Sequence, residues 1–249
     1  MTATPRGAYP RLTIAETVAQ LRGVGKPSQT APLYSSLINR PVGRYLAAFA
    51  FRLGMTPDQV TAVSGTVTFA GILLVALVRP GPVLGLLVAL LLVLGYALDS
   101  SDGQLARLRG GGSLGGEWLD HMIDCAKNAS VHLAVLISFY RFADAPPPLL
   151  LLPAAFQLVV TVMFFGTVLT DQLRRSRSAG VRTPPEGASL LRSVAVAPAD
   201  YGLLCLGFVT FGFRPVFIGV YAFLLAGSAA YLAVGLVRWR RQLSALDAG

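Results

Sequence analysis

Uncharged stretches long enough to cross a bilayer dominate the chain. Residues 59–78, 80–98, 145–170 and 215–237 carry no charged side chain, and a helix of about 20 apolar residues spans the hydrocarbon core. The first two meet at Arg79-Pro80-Gly81-Pro82, where the chain must turn. Two further spans are less clean. Residues 118–140 are apolar apart from Asp120, His121, Asp124, Lys127 and His132. Residues 199–213 form a short span that the sequence extends backwards through Val194-Ala195-Val196. The pattern predicts an all-α integral membrane protein with six transmembrane helices.

Ahead of the spans, residues 1–28 are polar and broken by Pro5, Pro10 and Pro27, with no apolar signal-peptide core. From Pro41 to Leu53 a short amphipathic helix is expected. Pro41 suits a first helical turn, and Leu46, Phe49, Ala50 and Leu53 share one face, with Arg40, Arg44 and Arg52 elsewhere. Such a helix lies on the inner leaflet; an ordinary cytoplasmic helix is the other reading. The expected organisation is a polar segment over 1–32, the interfacial helix region over 33–55, a six-helix domain over 56–241 and a tail over 242–249. Gly110-Gly111-Gly112-Ser113 is a flexible turn between two spans and lacks the strand–turn–helix context of a dinucleotide site.

Composition agrees with the pattern. Of 249 residues 54% are hydrophobic and 13% charged, about half the charged share of a soluble domain. A water-soluble globule, a disordered chain and a disulfide-stapled miniprotein are excluded. The net charge of +9 raises nucleic acid as a partner, but the basic residues fill the gaps between apolar runs, as expected opposite anionic headgroups. Seventeen lie in segments that one topology places together, against Arg79, Arg141 and Arg214 on the other side. The positive-inside rule then puts both termini in the cytoplasm. Nineteen of the 21 basic residues are arginine, whose planar fork suits phosphate. Cys125 and Cys205 sit in apolar sequence and read as two buried small side chains.

The informative stretch is 99–124. Asp99, Asp102, Asp120 and Asp124 stand at the facing ends of two apolar spans. At 100° per residue Asp102 lies about 60° from Asp99, while Gly116, Asp120 and Asp124 follow one stripe at i, i+4, i+8. The short turn makes the two helices antiparallel neighbours, so two carboxylates from each converge. Four carboxylates without thiolates make a hard-oxygen site for Mg²⁺, Mn²⁺ or Ca²⁺. Gly103, Ala106 and Gly116 leave room for a ligand, and Arg107 can meet a phosphate. A proton or ion pathway is the competing reading of intramembrane acids, which would make the chain a cation-binding transporter or a scaffold.

Asp99-Ser-Ser-Asp102-Gly103-Gln-Leu-Ala106-Arg107, eight residues, then Gly116-xxx-Asp120-xxx-Asp124 resembles the signature of the CDP-alcohol phosphotransferase family at every signature position. The resemblance covers about residues 40–238. It implies transfer of a substituted phosphoryl group from a CDP-linked donor, such as CDP-diacylglycerol, to an alcohol, with release of CMP. It also implies two divalent cations, Mg²⁺ or Mn²⁺, on Asp99, Asp102 and Asp120, with Asp124 facing them as general base. Gly103, Ala106, Arg107 and Gly116, with Asp102, would line the pocket of the CDP moiety. A homodimer in the inner membrane is implied as well.

The acceptor stays open. Thr170-Asp171-Gln172-Leu173-Arg174-Arg175-Ser176-Arg177 is similar to the stretch with which bacterial phosphatidylinositol-phosphate synthases of this family hold the acceptor's phosphate, so Arg174, Arg175 and Arg192 are expected acceptor residues, while Lys127, one turn after Asp124, is expected either to offset the acids or to touch the acceptor. A positive-inside loop is the plainer account of the arginines. Two departures from those synthases are Ser178, where an acidic residue is expected, and the acidic rather than basic Pro198-Ala-Asp200-Tyr201-Gly202. Thr56-Pro57-Asp58 resembles the family's Thr-Pro-Asn opening, with Asp58 in place of Asn. His121 is expected off the metal face and His132 as a packed histidine.

Overall fold

The computed structural model describes residues 13–23, 34–142, 146–177 and 199–247, and those residues are helical throughout apart from turns. Eight α-helices are described, α1 to α8 in chain order.

α3 (Pro57–Leu77) starts where its sequence dictates. The Thr56 hydroxyl accepts from the Gln59 amide at 3.2 Å, and the Gln59 side chain accepts from the Thr56 amide at 2.9 Å. This reciprocal cap, with Pro57 in the first turn, satisfies amides that the helix itself leaves free. The chain turns at the expected Arg79-Pro80-Gly81, and Pro82 opens α4 (Pro82–Leu108). α4 runs on past the end of its apolar stretch, so Asp99 and Asp102 belong to the same rigid rod as the span. Gly110 and Gly111, at φ of 96° and 133°, supply the left-handed backbone of the following turn. α5 (Leu114–Phe142) begins four residues before the expected start, which places Gly116 in its first turn. α6 (Pro147–Arg177) and α8 (Arg214–Asp247) complete a set of five helices long and apolar enough to cross a membrane. The expected span 199–213 is a shorter helix, α7 (Tyr201–Gly207), prolonged by the 3₁₀ turn Phe208–Thr210. Its anticipated extension through Val194 lies outside the described residues.

Small residues let the helices approach. A methyl group on Gly95 of α4 would fall 2.1 Å from the Thr68 hydroxyl of α3, and the Ser64 hydroxyl donates to the Gly95 carbonyl at 2.9 Å. Gly65 of α3 lies against Ile123 of α5. Close backbone approach through glycine is a standard means of helix association in lipid, where apolar burial gives no net drive. Further along the bundle Phe139, Phe156, Phe208, Phe217 and Tyr221 form an aromatic cluster, and His132 packs on Phe156 and Tyr221. His132 is buried and shares a 2.5 Å hydrogen bond with the Tyr221 hydroxyl, the packed role expected of it. Leu73, Leu90, Leu158, Phe165 and Phe223 are exposed on the faces a bilayer would cover.

Three expectations change. α1 (Ile14–Gly23) forms within the supposedly polar leading segment. Its start is another reciprocal cap, Thr13 with Glu16, and its Val18 and Leu21 pack on Ala47, Ala48 and Leu105. α2 (Arg40–Arg52) continues without a break from the π-turn Ser35–Asn39, and its faces are rotated from expectation. Ala50 is buried with Gly43 and Ala47, whereas Phe49 and Leu53 are exposed on a stripe with Ile38, Val42 and Tyr45. The alanines pack inward because α4 approaches closely at Gly43, near Ser100 and Gln104. The bulky side chains are thus left for the membrane surface. Finally, Cys205 is buried but Cys125 is exposed, since it points away from the packed side of α5.

Gly95→Ala should wedge α3 from α4. Overpacking of this kind costs roughly 1–3 kcal/mol, so the thermal midpoint of the detergent-solubilised protein should fall. An unchanged midpoint would show that the contact is not tight.

Candidate metal and nucleotide site

The acidic residues meet where α4 ends and α5 begins. One carboxylate oxygen each from Asp99, Asp102 and Asp120 lie within 4.8 Å of one another. A second group of the same tightness joins Asp120, Asp124 and a ring nitrogen of His121. The four carboxylates therefore form two overlapping sets that share Asp120, rather than one point. His121 belongs to the second set, contrary to expectation. Its position 100° from Asp120 describes the backbone, and its ring swings towards the carboxylates and to within 3.8 Å of Glu117.

Each acid is held by a neighbour. Asp102 is 5% exposed; one of its oxygens accepts from the Thr61 hydroxyl of α3 at 2.6 Å, the other from the Gly103 amide. Thr61 reaches it because α3 and α4 pack so closely. Lys127, 4% exposed, places its ammonium between Asp99 of α4 and Asp124 of α5, at 2.5 Å and 2.7 Å. An ammonium at this depth is tolerated only when paired. Sequence reasoning missed Thr61 as a partner of Asp102, although the Thr-Pro-Asp opening of α3 placed it one turn inside that helix.

The small residues stand where room is needed. Gly103 offers open space bounded by an Arg107 nitrogen 3.6 Å from where a methyl group would sit. A methyl group on Gly116 would lie 3.0 Å from an Asp58 oxygen and 3.1 Å from the Ser113 hydroxyl, so α3 and α5 come together there. Arg107 is half-buried, and its Nε has no hydrogen-bond partner among the described residues. Arg40 lies close enough to repel it. Loss of hydration pulls the Arg40 guanidinium below its ordinary value. A half-buried guanidinium with an unmet donor, near enough to a second cation to be repelled by it, suits an anion.

The expected acceptor residues are dispersed. Lys127 is engaged by the two carboxylates. Arg175, on the exposed end of α6, bonds Glu117 of α5 at 2.5 Å and Asp171 at 2.6 Å. Arg174 is exposed beside it. Arg192 and Ser178 lie outside the described residues.

The fold and the site define a class: a polytopic α-helical membrane protein with a carboxylate centre towards the facing ends of two helices and a half-buried arginine, Arg107, close to it. Residues 54–239 match the CDP-alcohol phosphatidyltransferase family, and the chain belongs to it. The family transfers a phosphatidyl group from a CDP-linked donor to an alcohol in phospholipid synthesis, the activity the signature implied. Two crystal structures of phosphatidylinositol phosphate synthase from Mycobacterium tuberculosis share the fold at 22% identity. The one with CDP-DAG bound gives a TM-score of 0.53, covering 81% of this chain and 93% of that one. The one in complex with manganese and citrate gives 0.54, covering 81% and 88%. No curated protein sequence matches the chain.

Thr61→Val removes a charge-assisted hydrogen bond from a buried carboxylate, a loss of about 1.5–3 kcal/mol. Its thermal midpoint in detergent should drop accordingly, and a midpoint equal to wild type would show that Asp102 is fixed by other means.

Proposed function

We propose that this protein transfers a phosphatidyl group from CDP-diacylglycerol to a small alcohol and releases CMP, using divalent cations held by Asp99, Asp102, Asp120 and Asp124. The observation that carries this reading is the meeting of three carboxylates from two helices within 4.8 Å. The donor set fits a hard cation, being all oxygen apart from the imidazole of His121 at its edge. Two overlapping groups sharing Asp120 support two cation positions, and the manganese of the neighbouring synthase supports Mn²⁺ or Mg²⁺ as the ions. Bound there, such ions would neutralise the donor's diphosphate and ease the departure of CMP.

The chain's own groups do the rest. Arg107 binds phosphate of the donor through its guanidinium, whose Nε lacks a partner among the described residues. The open position at Gly103, one turn from Ala106, lets the CDP moiety lie against helix backbone, while Gly116 brings α3 up to α5 beside it. Asp124, the last carboxylate of the stripe, takes the proton of the acceptor hydroxyl as it attacks. Placing the centre at the ends of the spans lets the lipid tails stay in the bilayer while the headgroup reacts at its edge. Arg174 and Arg175 would face an anionic acceptor such as a phosphorylated inositol, which would compete with Glu117 and Asp171 for Arg175. The arginine bias of the loops supports an inner-membrane location with both termini cytoplasmic, and the family resemblance supports a homodimer with residues 56–241 as the catalytic domain.

Purified protein given CDP-diacylglycerol, Mg²⁺ and a panel of inositol phosphate, glycerol phosphate, serine and other polyols should release CMP with at least one acceptor. Silence across the panel would overturn the proposal and favour a cation-binding transporter or scaffold. Asp124→Asn should bind donor yet lose about 10²-fold or more in turnover; near-normal turnover would remove Asp124 as the base.

A further inference from the structure

The most unusual group in the centre is a cation that belongs to the chain. Lys127 is almost fully buried, reaches across from α5 to Asp99 on α4, and reaches one turn back along its own helix to Asp124. We infer that Lys127 is a tethered counter-cation that bridges one carboxylate of each candidate ion group, Asp99 of one and Asp124 of the other, and so weakens the hold of both groups on divalent ions. The inference rests on the proposed reading of the four acids as a cation centre.

The geometry gives Lys127 two effects. It keeps Asp99 and Asp124 drawn together between neighbouring helices with no metal present, where two carboxylates alone would repel. It also competes with an incoming ion. Asp99 belongs both to the Lys127 pair and to the group with Asp102 and Asp120, so an ion drawn to that group meets a positive charge already on one of its ligands. An ion drawn to Asp120 and Asp124 meets the same charge from the other side. At these separations, with little water between, the repulsion is large. Lys127 therefore sets the centre's affinity for divalent ions below what four carboxylates alone would give. A lysine that served packing alone would have no such effect.

The test uses the full-length protein in detergent with Mn²⁺ alone as the probe, free Mn²⁺ being read from its paramagnetic resonance signal. Lys127→Met keeps most of the apolar stem and removes the charge. It should bind Mn²⁺ about tenfold or more tightly than wild type. Its metal-free form should melt at a lower temperature than wild type, and Mn²⁺ should raise that midpoint by more than it raises the wild type's. Equal or weaker Mn²⁺ binding in Lys127→Met would overturn the inference. The same substitution made in an Asp124→Asn background leaves the cluster's net charge at its wild-type value, which protects folding. There too it should tighten binding relative to Asp124→Asn alone, through the release of Asp99, and failure to do so would also overturn it. If wild type and both variants bind no Mn²⁺, the cation-centre reading itself falls. Binding by wild type with no change in the variants sinks the role of Lys127 alone.

Discussion

Negative charge at bilayer depth must be balanced, and this requirement organises the molecule. A central aspartate costs about 2.5–3.5 kcal/mol on insertion scales, so four would cost on the order of 10 kcal/mol, less near the interface. The chain meets the cost in three ways. It puts all four at the ends of helices. It surrounds them with donors, the Thr61 hydroxyl and the Gly103 amide on Asp102. It also supplies one internal cation, Lys127, across Asp99 and Asp124. What remains is a net negative centre close to the half-buried Arg107, an arrangement suited to divalent ions and the diphosphate they would carry.

That centre depends on helices that touch at backbone distance. Thr61 reaches Asp102 only because α3 and α4 close over Gly95 and Thr68. Gly116 lets α3 approach α5 beside the acids, and Gly43 lets α2 lie on α4. With Gly on one side of each contact, the carboxylates ride on rigid rods rather than on loops, and rigid placement is what positional chemistry needs. Further into the bundle, the aromatic cluster of Phe139, Phe156, Phe208, Phe217 and Tyr221 joins α5 to α6, to α8 and to the 3₁₀ turn after α7.

Much of this was legible in the sequence, because helical phase is a local property. The i, i+4, i+8 stripe of Gly116, Asp120 and Asp124 and the pair Asp99 and Asp102 fix which way the acids point on their own axes, and the short glycine turn makes the two helices neighbours. The family signature added roles that spacing alone does not assign. Phase does not give a helix's rotation against its neighbours. For that reason Ala50 of α2 turned inward while Phe49 and Leu53 turned out. It does not give the reach of a side chain either, so the ring of His121 joined a cluster that its backbone angle seemed to exclude; Lys127, one turn after Asp124, offsets the acids as its spacing allowed. The helix at Ile14–Gly23 carries a local start signal, since Thr13-Ile14-Ala15-Glu16 is a capping box, but it lies in a stretch of polar composition with no long apolar run.

On the proposed function, these carboxylates grip divalent ions at the junction of α4 and α5. Crystals grown with Mn²⁺ and CDP-diacylglycerol, with anomalous scattering recorded at the manganese edge, test it most directly. Anomalous peaks should appear bounded by Asp99, Asp102, Asp120 and Asp124, with the diphosphate of the donor against them. Peaks elsewhere, or a donor bound away from these four side chains, would contradict it.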